Sequence, residues 1–123
     1  MAKGFDENRT RVAELNSFGK DLARRARSKC ELCENGGVSL QVFELPPVEK
    51  FPRVERCAFL CESCARQMGE QRHFEIGEQW RCLAQTVWSE VPAVQVLAVR
   101  GLRRLAKADT EAWAREALED IYL

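Results

Sequence analysis

Apolar and polar positions follow three rhythms along this chain. Over the first thirty residues Val12, Leu15, Phe18, Leu22 and Ala26 recur at steps of three and four, with Arg and Lys on the remaining faces. That spacing predicts an amphipathic helix, because residues three and four apart share one face of a 3.6-residue turn. Two β-like runs follow, "GGVSLQVFELPPV" and "VERCAFL". The first opens on a glycine turn and stops at two prolines, which cannot donate to a sheet ladder. The two runs are expected to pair as a hairpin, with "PPVEKFPR" as its loop. "CESCARQMGEQ" then predicts a short helix beginning near Cys64 and ended by Gly69, since Ala65, Arg66, Gln67 and Met68 all favour helix.

From Glu78 onward the pattern is helical. Trp80, Leu83, Val87 and Trp88 form one apolar stripe. Pro92 opens a second helix at a position where proline is tolerated, and Val94, Leu97, Ala98, Gly101, Leu102 and Leu105 mark its buried side. Asp109 or Thr110 is placed to cap a third helix, whose stripe is Trp113, Ala117, Leu118 and Ile121. The tryptophans read as core anchors.

The six cysteines change this picture from a pattern into chemistry. Cys30 and Cys33 stand two residues apart in "RSKCELCENGG", and Cys61 and Cys64 repeat the spacing in "RCAFLCESCARQ". Four thiolates suit a tetrahedral zinc ion, and two intervening residues let one tight turn aim both sulfurs at it. Backbone N–H groups should turn towards the sulfurs, and Gly36 should relieve the turn. The second pair, at a helix start, gains from the positive end of the helix dipole. Four buried cysteines without metal is the bland alternative. A redox dithiol needs one pair inside a βαβ pattern, and there is none. The leading expectation is one structural zinc ion on Cys30, Cys33, Cys61 and Cys64. The fold expected around it is small and α+β: a treble-clef or zinc-ribbon-like hairpin and short helix, packed with several α-helices. Residues 1–29 form its N-terminal helix, 30–75 the metal module, and 76–123 a helical segment packed on it as a single unit. Such a hairpin-and-helix unit buries too little surface to hold itself, so its fold should depend on metal. Cys57 and Cys82 are left over, most simply as small buried hydrophobes, with Cys57 an alternative ligand.

Charge narrows the partners. The 123 residues carry 19 basic and 19 acidic side chains, so the whole surface is not built to hold polyanions. Two local clusters remain: Arg24, Arg25, Arg27 and Lys29 at the end of the first helix, and Arg100, Arg103, Arg104 and Lys107 on a later one. The first suits the negative end of a helix dipole; together the two are able to contact phosphates. The aromatic interleaving of single-strand platforms is missing. A protein partner is therefore the first expectation and nucleic acid the second. No apolar run approaches the roughly 18 residues of a membrane span. The opening "MAKGFDENRT" has no hydrophobic core of a secretory signal, so a reducing, cytoplasmic setting is expected.

A nuclease of the HNH type, also carried on treble clefs, would need histidines on hairpin and helix. The lone histidine, His73, lies beyond the short helix, and Ala65 follows the last paired cysteine. No catalytic set is therefore expected, and His73 reads as a surface or packing residue; a degenerate HNH-like hydrolase is the alternative reading, on fold analogy alone.

"SKCELCENGGVSLQVFELPP", "CAFLCESCARQ" and above all "WRCLAQTVWSEVPAVQVLAVRGLRRL" resemble the bacterial PhnA-type proteins in their zinc-ribbon-like N-terminal form, over residues 15–107. The resemblance implies a cytoplasmic zinc-binding protein with ligands on Cys30, Cys33, Cys61 and Cys64. It also implies an association with alkylphosphonate-utilisation genes, without implying phosphonate chemistry; a phosphonate-pathway hydrolase is the other form of the enzyme alternative, on family name alone. Two departures stand out. Glu34 occupies a position where the family continues with glycine, leaving the turn to Gly36 and Gly37. Family members also often run on into a further small β-domain after the helices, whereas this sequence ends at Leu123.

Overall fold

A computed structural model describes residues 2–121, and the side chains of 9–121. Helix α1 spans Ala2–Ala26, and strands β1 (Leu40–Glu44) and β2 (Cys57–Cys61) form an antiparallel pair. Helix α2 is Glu62–Gly69, α3 Leu83–Thr86, α4 Pro92–Ala106 and α5 Ala112–Ile121. Short 3₁₀ turns occupy Val54–Arg56, Gln71–His73 and Glu78–Cys82. The fold is small and α+β.

The hairpin register pairs Leu40 with Cys61 and Glu44 with Cys57. In β2 only Phe59 of five residues is not fully buried, because helices cover both of its faces. Helix α1 lies along the hairpin, with Leu22 wholly buried and Leu15 and Phe18 half-buried. Arg11 fastens it: its guanidinium grips the Glu44 carboxylate and donates to the main-chain carbonyls of Glu49 and Lys50 in the hairpin loop. On the other side α4 packs against α3, α5 and β2. A side-chain methyl at Gly101 would come 2.6 Å from Leu83 Cδ1, so glycine is what lets α3 and α4 approach. One hydrophobic cluster runs from Cys30 and Leu32 through Leu60, Met68 and Leu97 to Ala114. The cysteine-bearing hairpin and the C-terminal helices thus share a core. Segment 70–78 joins them closely, since Phe74 stacks on the buried Trp80 ring with centroids 5.1 Å apart.

Several sequence expectations need correction. Helix α1 stops at Ala26, because Arg27 and Ser28 take left-handed backbone angles (φ 54° and 64°). Helix α2 begins two residues before Cys64, at Glu62. The segment after Glu78 is a 3₁₀ turn followed by a single α turn, which brings Trp80 inward and turns Trp88 outward. Trp88 is 60% exposed and anchors nothing; Val12, on the expected stripe of α1, is 46% exposed. Helix α5 starts at Ala112, later than a cap at Asp109 or Thr110 requires. Glu111 precedes it instead, its carboxylate accepting from Trp113 Nε1. Pro92 opens α4 and Gly69 closes α2 as the sequence suggests.

Candidate metal centre

Cys30 and Cys33 sit on a turn closed by three main-chain contacts. The Glu34 N–H donates to the Cys30 carbonyl (2.8 Å), the Cys30 N–H donates to the Asn35 carbonyl (3.0 Å), and Lys29 and Gly36 form a lone β-bridge. The positive φ that such a turn demands falls on Glu34 (64°) and Gly37 (70°). Gly36 does not have it, which corrects the role expected of Gly36. The tight geometry turns the N–H groups of Leu32, Cys33 and Cys61 onto the Cys30 sulfur and that of Asn35 onto Cys33. Cys61 ends β2 and stands at the N-cap of α2, with Cys64 in that helix's first turn. Both residues therefore stand in the positive, N-terminal region of α2, which favours thiolate, although the Cys61 side chain caps no N–H there.

The four sulfurs all lie within 4.8 Å of one another, and Cys33 Sγ and Cys61 Sγ are 3.8 Å apart. A tetrahedron with zinc–sulfur bonds of about 2.3 Å has an edge of about 3.8 Å. The cluster can hold a metal ion, and among the described residues no other group of three or more His, Cys, Asp or Glu side chains gathers in this way. Cys30, Cys61 and Cys64 are buried and Cys33 is half-buried; all six cysteines of the chain are free thiols.

Hydrogen bonding within the cluster sorts the protons. The Cys64 thiol hydrogen-bonds Cys30 and, with the main-chain donors, holds it down to about 5 against the effect of burial. Cys64, as the partner in that bond and buried, is pushed far up. Burial, reinforced by the charge on Cys30, pushes Cys33 up to about 12. A metal-free cluster therefore accommodates a negative charge on Cys30 readily, and a cation is what allows Cys33 and Cys64 to ionise.

Side chains outside the cluster hold the knuckle in place. Glu31, between Cys30 and Cys33, turns inward. Its carboxylate accepts both Nε and Nη2 of Arg25 (2.8 Å each) and the Phe59 N–H (2.8 Å), while its own N–H donates to the Phe59 carbonyl (2.9 Å). Thr86 of α3, buried, donates its hydroxyl to the Leu32 carbonyl (2.8 Å). Gln67 of α2 accepts from the Glu75 N–H and from Trp80 Nε1, and its carbonyl accepts from Arg104 (2.8 Å). Sequence reasoning missed all three residues. Nothing in the sequence singles the three out, because each is placed by a contact with a segment distant along the chain.

The remaining expected residues lie elsewhere. Cys57 is four residues along β2 from Cys61, about 13 Å at strand spacing, and its thiol donates to the Arg53 carbonyl. It does not join the cluster, so it is not the substitute ligand its spacing offered, and burial raises its pKa to about 11. Cys82 donates to the Gln79 carbonyl and is likewise raised by burial. His73, half-buried on its 3₁₀ turn, is outside the cluster. Of the basic residues, Arg24, Arg27, Lys29 and Lys107 are exposed. Arg25 is spent on Glu31 and on the Cys57 carbonyl, and Arg104 lies over the Phe74 ring with its pKa lowered by burial. No helix among the described residues is long and apolar enough to cross a membrane.

No family model, no curated protein and no solved structure matches the chain.

Proposed function

We propose that this chain is a non-enzymatic zinc protein in which Cys30, Cys33, Cys61 and Cys64 hold one structural ion, and whose surface serves to bind another macromolecule. The observation that carries the metal reading is the sulfur spacing: four thiols within 4.8 Å of one another, one pair at the 3.8 Å of a tetrahedral edge, which the chain brings together across the hairpin. An all-cysteine set of four leaves no open coordination position, which is the arrangement of structural rather than catalytic zinc. Iron is the other first-row ion suited to four thiolates. Six free thiols agree with a reducing, cytoplasmic setting. The knuckle–hairpin–helix order is that of a treble clef. The resemblance to PhnA-type proteins rests on the sequence stretches that carry it and agrees with this ligand set; any link to phosphonate use rests on that resemblance alone.

For the partner, exposed Trp88 supports a protein. It shares an open groove with Val96, Val99, Ile121 and Arg100, and a large exposed aromatic of this kind is typical of contact surfaces. Nucleic acid is the second reading, weakened because Arg25 and Arg104 are already engaged within the fold. Titrating labelled DNA and RNA at low salt separates the two. Binding that falls steeply with added salt favours nucleic acid, and no binding removes it. The metal reading is tested by complete chelation followed by thermal melting: a large drop in Tm is expected, and an unchanged melt contradicts it.

A further inference from the structure

The four ligands are not equally sheltered. Cys30 is 0% exposed, Cys64 5% and Cys61 7%, whereas Cys33 is half-buried. A cavity of about 360 Å³ opens onto Cys33, Cys61 and Cys64, with Glu34, Gln79 and Trp80 among its other walls. Cys30 does not reach it; a separate opening of about 270 Å³ lies on its side, with Cys30 itself 0% exposed. Cys33 is thus the most exposed of the four, on a face that a small solute can enter.

We propose that Cys33 is a site of oxidation by hydroperoxides, and that its oxidation expels the metal and leaves a Cys33–Cys61 disulfide. The proposal rests on the zinc reading above. Zinc holds its sulfur ligands as thiolates at neutral pH, and an accessible thiolate is the nucleophile in cysteine oxidation, while buried structural cysteines are inert. The Cys33 sulfur attacks one peroxide oxygen. The O–O bond breaks, Cys33 becomes a sulfenic acid, and the departing hydroxide takes a proton to become water. Cys61, whose sulfur is 3.8 Å away, then attacks the Cys33 sulfur. An S–S bond forms, the S–O bond breaks, and a second water leaves. Two thiolates have supplied two electrons, and one peroxide has become two waters. Cys61 is the resolving partner because its sulfur lies 3.8 Å from that of Cys33 and it lines the same cavity, whereas Cys30 is 0% exposed and lies outside that cavity. Cys30 and Cys64 alone cannot retain the ion. A thiol reductant reverses the disulfide, so the change is a switch rather than damage.

The test uses the full chain carrying Cys82→Ser, which removes the other half-buried thiol. Metal analysis first establishes the zinc content; a chain that binds none fails the structural-site reading itself, before peroxide is added. Loaded protein is then treated with hydrogen peroxide beside a chromogenic zinc chelator, and the remaining thiols are alkylated and mapped by mass spectrometry. The expected result is one equivalent of zinc released per chain together with a Cys33–Cys61 link, and zinc rebinding after reduction. Zinc retained while peroxide persists overturns the proposal, as does release with a Cys33–Cys64, Cys30–Cys33 or Cys30–Cys64 link. Cys33→His, which keeps a four-ligand zinc set of a common type, should slow release at least tenfold. If that variant releases zinc as fast as its parent, Cys33 is not the oxidised ligand; if it binds no zinc, the mapped linkage decides alone.

Discussion

Glu34 holds a left-handed backbone angle inside the first knuckle, a conformation that costs a side-chain-bearing residue about 1 kcal/mol relative to glycine. Glu34→Gly should therefore stabilise the zinc-loaded protein by about that amount in urea unfolding, and Gly37→Ala, with open space around its Cβ, should lose a similar amount. No gain from the glycine would mean that the turn is not formed as described. The tryptophans make a second contrast. Trp80 is 1% exposed, and its indole N–H donates to the Glu75 carbonyl, so Trp80→Ala should cost about 3–5 kcal/mol. Trp88→Ala should stay within about 0.5 kcal/mol, since that ring stands in solvent. Comparable losses from both would place Trp88 in the core after all.

At the scale of elements, the four cysteines were legible because two CxxC turns on either side of a hairpin admit few other uses. The hairpin and α4 were legible because proline punctuation and helical periodicity agree there. What escaped was decided by contacts between distant segments. Nothing in the rhythm of Trp80, Leu83, Val87 and Trp88 shows that a 3₁₀ turn, with three residues per turn, will shift the stripe and expose its last member. Likewise, Arg25 looks like a solvated helix-end cation until the chain folds Glu31 back beneath it. The tie from Thr86 to the Leu32 carbonyl couples α3 to the knuckle. Thr86→Val keeps the shape, strips that buried carbonyl of its donor, and should cost about 1–3 kcal/mol. A cost seen in the zinc-loaded chain should persist when Cys57 is replaced, because Cys57 lies on a different contact; its loss would place the effect elsewhere.

For the whole molecule, the shared core means that a metal ion held by the four cysteines would support more than the hairpin that carries them. Cys30, Leu32, Leu60 and Cys64 pack in the same cluster as Leu97 and Leu102 of α4. Zinc sites of this class contribute about 10–16 kcal/mol in isolated peptides, more than a small domain's usual margin. Acid should undo that contribution. The pKa values of Cys33 and Cys64 are raised in the metal-free cluster, so both carry protons at neutral pH and must lose them to bind zinc. Loading should thus release at least two protons, and affinity should fall about a hundredfold for each unit that the pH is lowered. Competition with a chelator at two pH values measures the slope, and a pH-independent affinity would contradict the ligand set. The measurement to make before any other is metal content per chain, by plasma mass spectrometry on protein purified without chelator or nickel resin. One zinc per chain is expected, falling to none when Cys30 and Cys64 are both replaced by serine. No bound metal in the parent chain, with six thiols still free, would contradict the reading of the four cysteines as a metal centre.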